Sequence, residues 1–244
     1  MAGAEGLAMR SERAAARAAG ILFLVSYAAF AAGSVLVTPM REVGHDLLTI
    51  HTESGQLVAG LLLEFVNVAA IIGFAVVLLP YLRRGGEALA HGYVAMRVLE
   101  GALYLIAGVA TASLITLSEQ AAAADGADGA AYHVAQVASV GQSTWAVTLA
   151  VVPFAVGATL LYLLLYRTRL VPRFIAVWGL IAVGLIVVLN LMGTDMTELG
   201  PAALLALPII ANEFFLAIWL IVRGFTRSAV EPTDAPVEPV PSVA

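Results

Sequence analysis

The chain has no cysteine and no lysine. Without cysteine there are no disulfides, no thiol chemistry, no iron–sulfur cluster and no cysteine-bound zinc. All 12 basic residues are arginine, a pattern read as codon bias and not as mechanism. Charge of either sign is scarce: 12% of residues, where a soluble domain carries about 25%. The net charge is −5 and there is no basic tract, so nothing supports nucleic-acid binding. Neither a G-x-S-x-G elbow nor a P-loop occurs. What fills the chain is apolar. Hydrophobic residues make up 61% of the 244, and mean hydropathy is +0.95. That is the composition of a chain solvated by lipid.

A membrane-crossing helix needs about 20 mostly apolar residues. Six stretches qualify, over 19–38, 56–82, 93–117, 145–166, 171–192 and 202–222. The fold class is therefore all-α: a polytopic bundle of six transmembrane helices. Arg83, Arg84, Gly85, Gly86 and Glu87 form a tight polar turn between the second and third spans. Pro172 suits the first turn of the fifth. Pro208 falls inside the sixth, four residues before Asn212, and predicts a kink that frees the carbonyl of Leu204. Arg10, Arg13, Arg17, Arg83, Arg84, Arg167, Arg169, Arg173, Arg223 and Arg227 all fall on one side of this topology, whereas the opposite loops carry only Arg41. By the positive-inside rule both termini are cytoplasmic. The opposite loops carry Glu42, Asp46, Glu53, Glu119, Asp125, Asp128, Asp195 and Glu198. The first span is too long for a signal-peptide core of 7–15 residues, so it is expected to stay as a helix. The expected organisation is a cytoplasmic segment over 1–14, a transmembrane domain over 15–227 and a tail over 228–244. The tail holds Pro232, Pro236, Pro239 and Pro241 among acidic residues and is expected to be disordered.

Charge within a bilayer costs about 2.5–3.5 kcal/mol per residue on insertion scales. Glu64, Arg97, Glu100 and Glu213 nevertheless lie well inside spans, with the amides Asn67, Asn190 and Asn212. At a rise of about 1.5 Å per residue, Glu64 and Glu213 sit about 12 and 16 Å below their outer helix starts. Arg97 and Glu100 sit about 6 and 10 Å from the inner end of the third span. All four are thus expected near one layer. Arg97, Glu100, Tyr104, Gly108 and Thr111 form one helical stripe, so Arg97 can bind Glu100 and still reach a second carboxylate, Glu64 or Glu213. One Arg against three Glu leaves two negative charges if all are ionised. Desolvation favours neutral carboxyls, so a proton or a cation is expected to balance them.

The candidate binding or proton site is therefore Glu64, Asn67, Arg97, Glu100, Asn212 and Glu213, with no catalytic residue, metal or cofactor assigned. Three readings stay open. One is a small-molecule or proton-coupled transporter, with a small molecule, a cation or a proton as its partner besides the lipid bilayer. Another is an accessory, sensory or binding membrane protein in which the cluster only fixes helix register. The last is a lipid-modifying intramembrane enzyme using the carboxylates as acid and base; the balance leans away from an enzyme. His45, His51, His133 and Asp46 lie in outer loops at a spacing too loose to define a metal site.

Several stretches carry a resemblance. They are "RAAARAAGILFLVSY", "LLLEFVN", "GYVAMRVLEGALYL", "LLYRTRLVPRFIAVWGL" and "LPIIANEFFLAIWLIVRGF". Together they resemble the bacterial multi-pass family called domain of unknown function 4386, over nearly the whole chain except its extreme N-terminus and the Pro-rich tail. The resemblance implies a multi-pass topology in a bacterial cytoplasmic membrane, with Glu64, Arg97, Glu100 and Glu213 at positions typical of the family. It implies no mechanism.

Overall fold

The computed structural model describes residues 2–42, 44–124, 129–191 and 201–226. Asp125, Asp128, Asp195, Glu198, Arg227 and the expected disordered tail lie outside them. The described residues form helices and connecting turns without a strand: α1 (Ala2–Val37), α2 (Leu47–Thr52), α3 (Ser54–Leu82), α4 (Glu87–Ala123), α5 (Gly129–Thr168), α6 (Arg173–Leu191) and α7 (Leu207–Val222). Short 3-10 turns cover Thr38–Arg41, Arg83–Gly85 and Pro201–Ala206. Six of the helices are long and apolar enough to cross a membrane. Their outward faces carry Leu62, Phe65, Val109, Leu149, Val152 and Ile181, all exposed. Such a continuous apolar surface needs lipid or protein against it.

Three features differ from the sequence reading. First, α4 runs well past the span expected over 93–117, and α5 takes in the stretch after Ala130 that its sequence allows as a helical extension of the fourth span, at 37 and 40 residues. That is about 55 and 60 Å against a hydrocarbon layer of about 30 Å. The Ala-rich stretch after Leu117 is good helix former, so α4 runs on to Ala123 and α5 already starts at Gly129. Second, α2 occupies the outer loop between the first two spans. Asp46 starts it, its carboxylate accepting the Leu48 amide at 3.3 Å. Third, Pro208 does not kink a continuous helix. Regular α-helix begins only at Leu207, after the 3-10 turn, so Pro208 stands in the first turn, where its missing N–H costs nothing. Pro172 likewise lies just before α6 and accepts the Ile175 amide at 3.0 Å.

Two apolar cores sandwich the middle of the bundle. One gathers Phe23, Phe74, Leu78, Leu82, Tyr93, Leu161, Tyr162, Ile186 and Leu216. The other gathers Val37, Met40, Ile50, Leu57, Leu114 and Val140. Along α3 and α4 the polar positions Glu64, Asn67, Arg97, Glu100 and Thr111 fall between them, and all are buried. At one end of the bundle α1 meets the last turns of α7: a Cβ on Gly20 would lie 2.6 Å from the Ala217 carbonyl oxygen. At that same end the Arg167 guanidinium reaches the Gly85 carbonyl at 3.5 Å. The described arginines assigned to one side by sequence thus share one end.

Candidate functional site

The buried polar groups form two levels. The one nearer the α2 end of the bundle, called outer for its place in the expected topology, is built around Arg41. Pro39 opens the 3-10 turn that ends α1, and the turn folds the Arg41 side chain back into the bundle. Its Nη1 and Nη2 donate to Glu64 Oε1 and Oε2, each at 2.9 Å. Its Nε donates to Thr111 Oγ1 at 2.8 Å, and Ser143 Oγ lies 3.1 Å from the same oxygen. A fork of this kind satisfies both carboxylate oxygens. It joins the end of α1 to α3, α4 and α5, with side chains only 18% and 10% exposed. Glu64 is therefore not a partner of Arg97, as its depth suggested. It has its own cation, which sequence reasoning left in a loop. A signal was present: Arg41 is the single arginine opposite the other ten.

The inner level is built around Arg97, 2% exposed. Arg97 Nη1 donates to Glu100 Oε2 at 2.8 Å, one turn along α4, as the stripe predicted. The guanidinium carbon lies 5.6 Å from the Tyr93 ring centre and 5.5 Å from that of Phe154. The Tyr93 hydroxyl lies close enough to the guanidinium to interact with it, at a geometry too poor for a full hydrogen bond; Nε, Nη2, the Tyr162 hydroxyl and Asn212 Oδ1 likewise make no well-formed hydrogen bond among the described residues. From α7, Glu213 accepts a hydrogen bond from the Tyr27 hydroxyl of α1 through Oε2. It interacts electrostatically with Arg97 and Glu100, and Tyr162 with Glu213, Arg97 and Tyr93. These groups from α1, α4, α5 and α7 are thus mutual neighbours. Tyr162 stands there because Gly179 of α6 has no side chain: a Cβ would lie 2.3 Å from its ring.

The amides do other work. Asn67 Oδ1 accepts from Ser26 at 2.5 Å, and Asn212 Nδ2 donates to the Ile175 carbonyl at 2.9 Å. Both hold neighbouring helices in register. Asn190 is exposed near the end of α6 and belongs to neither level. Tyr27, Tyr93 and Tyr162 join the candidates; as apolar-face tyrosines in long hydrophobic runs they gave no sequence signal.

At the outer end, His45, Asp46, His133 and Gln136 line an open groove of 540 Å³. Gln136 Nε2 donates to the His45 carbonyl at 2.6 Å. Among the described residues no group of three or more acidic or histidine side chains is placed to hold a metal.

Residues 18–224 match the family described as "Domain of unknown function (DUF4386)". The chain belongs to this family. No curated protein and no solved structure matches it. The DUF4386 region takes in α1 from residue 18 onward, the other five spanning helices, both buried ion pairs and the Tyr27–Glu213 contact, and it ends at Gly224, just past α7. The protein is thus a multi-pass membrane protein of DUF4386 whose polar groups lie in its shared region.

Proposed function

We propose that this DUF4386 protein is a small proton-coupled carrier of the cytoplasmic membrane, with the Arg-rich end of the bundle in the cytoplasm and Glu213 as its proton-binding group. The supporting observation is the pairing pattern. Three carboxylates lie in the interior. Glu64 is held by Arg41 and Glu100 by Arg97, whereas Glu213, among the described residues, has the Tyr27 hydroxyl as its one hydrogen-bond partner and Arg97 as an electrostatic neighbour without an ion pair. With Arg41 counted, full ionisation leaves one negative charge, and it falls on Glu213. A lone buried carboxylate is stable as the neutral acid or beside a mobile cation. Either state can change during a transport cycle, and intramembrane ionisable groups in pumps and carriers work in this way.

The test is proton uptake by proteoliposomes containing a pH-sensitive dye and supplied with a protein-free metabolite extract. The native chain should acidify the lumen faster than protein-free vesicles do, and Glu213→Gln should remove the difference. An undiminished rate in Glu213→Gln would sink the reading. A purely structural role suits the outer pair better, because every nitrogen of Arg41 and both oxygens of Glu64 have a partner.

A further inference from the structure

The free edge of Arg97 adds something the pairing pattern alone does not. A guanidinium offers a side-on edge, Nε with Nη2, whose two parallel N–H groups match the two oxygens of a carboxylate. Glu100 occupies only Nη1. The Nε–Nη2 edge is buried and makes no well-formed hydrogen bond among the described residues. Beside it stand the hydroxyl of Tyr93, which interacts with the guanidinium itself, and that of Tyr162, which has no partner among the described residues; both residues are 0% exposed. Buried donors are almost always satisfied, by protein, water or ligand. The open edge of this cation and the two hydroxyls next to it, at the meeting of α4 and α5, make a cradle for an acceptor.

The geometry points to a small monocarboxylate as the ligand of this cradle, its oxygens on Arg97 Nε and Nη2 and on the Tyr93 and Tyr162 hydroxyls, taken up together with a proton on Glu213. This rests on the carrier reading above and gives it a substrate class. Charge explains the coupling. Ionised Glu213 is a neighbouring anion that opposes a second one and competes for the same edge. Protonated, it is neutral, and its bond to Tyr27 keeps it on the α1 side. The groups facing Glu213 are few. Tyr27 comes from α1, Arg97, Glu100 and Tyr93 from α4, and Tyr162 from α5. From the other elements packed on α7, α6 carries no titratable side chain after Arg173 and the Pro201–Ala206 turn carries none. Binding is therefore favoured in acid and opposed in alkali. One anion and one proton enter together, so the interior's net charge is unchanged.

The probe is radiolabelled pyruvate with the full chain in detergent micelles. Saturable binding should be at least about tenfold tighter in acidic than in alkaline buffer. Glu213→Gln, a mimic of the neutral acid, should bind at both and lose the pH dependence. Arg97→Lys keeps the charge but not the fork and should weaken binding about tenfold or more; Tyr162→Phe keeps the ring and should weaken it severalfold. Melting temperatures of the same samples show whether each variant is folded. Absence of saturable pyruvate binding by the folded native chain would overturn the assignment, as would binding indifferent to Arg97→Lys. Proteoliposomes separate the two levels of the argument. If metabolite extract drives Glu213-dependent proton uptake but pyruvate does not bind, the substrate class fails and the carrier stands. If pyruvate binds with the expected pH dependence but native vesicles move neither pyruvate nor protons, the carrier fails and the ligand stands.

Discussion

Arg41 is the residue whose role composition hides and geometry reveals. In a topology count it is one stray positive charge in an outer loop. In the bundle it neutralises Glu64 and ties the end of α1 to α3 and α4 through one side chain, with α5 joined through Thr111. Removing one member of a buried pair leaves the other uncompensated, at a cost of about 3–5 kcal/mol. Both groups keep slight exposure, so Arg41→Ala should fall at the lower end, about 3 kcal/mol, in chemical unfolding from micelles. The double replacement Arg41→Ala with Glu64→Ala should recover part of that loss, because no lone charge then remains. Purely additive losses would mean that the fork contributes nothing as a pair. The acidic residues were legible one by one, since Glu in an apolar run stands out. Their partners were not. A tyrosine in such a run looks like packing, and which arginine reaches which glutamate depends on how helices distant in sequence come together.

The elements show the same division. Six apolar runs were readable because length and hydropathy suffice for them. What was not readable is where regular helix starts and stops. α4 and α5 run on into the outer loop because alanine favours helix whether or not lipid surrounds it. The sixth span begins as a 3-10 turn, which puts Pro208 in a first turn and not in a helix interior. Proline in a helix interior costs about 3 kcal/mol; in a first turn it is tolerated. Pro208→Ala should therefore change stability by less than about 1 kcal/mol, and a gain near 3 would restore the kinked-helix picture. The contact of α6 with α5 predicts more. A methyl group at Gly179 would strike the Tyr162 ring, and overpacking of this kind costs about 1–3 kcal/mol. Gly179→Ala should lower the melting temperature and weaken pyruvate binding together, since the ring must move. Gly184→Ala, one helix turn and a half further on with open space at its Cβ, should do neither.

At the scale of the whole molecule, the distribution of arginine predicts an orientation. Arg10, Arg13, Arg17, Arg83, Arg84, Arg167 and Arg173 gather where the start of α1, the α3–α4 turn and the α5–α6 turn come together, at the end that also holds the last turn of α7. The other end carries the α4–α5 hairpin, α2 and their acidic residues. Lys and Arg near short loops stay on the cytoplasmic side during insertion, so the hairpin should project outward. The absence of cysteine makes this testable without first stripping the chain of reactive thiols. Ser11 lies on an exposed face at the arginine end and Glu53 on an exposed turn at the hairpin end. In intact cells a membrane-impermeant maleimide should label Glu53→Cys and spare Ser11→Cys; after permeabilisation it should label both. The direction of the proposed cycle depends on the result. Arg41 and Glu64 lie on the hairpin side of Arg97 and Glu213, so with the hairpin outside, a proton and an anion arriving from the medium would meet the closed outer pair before reaching the inner cradle. Labelling of Ser11→Cys alone would invert the bundle and put that pair on the cytoplasmic approach.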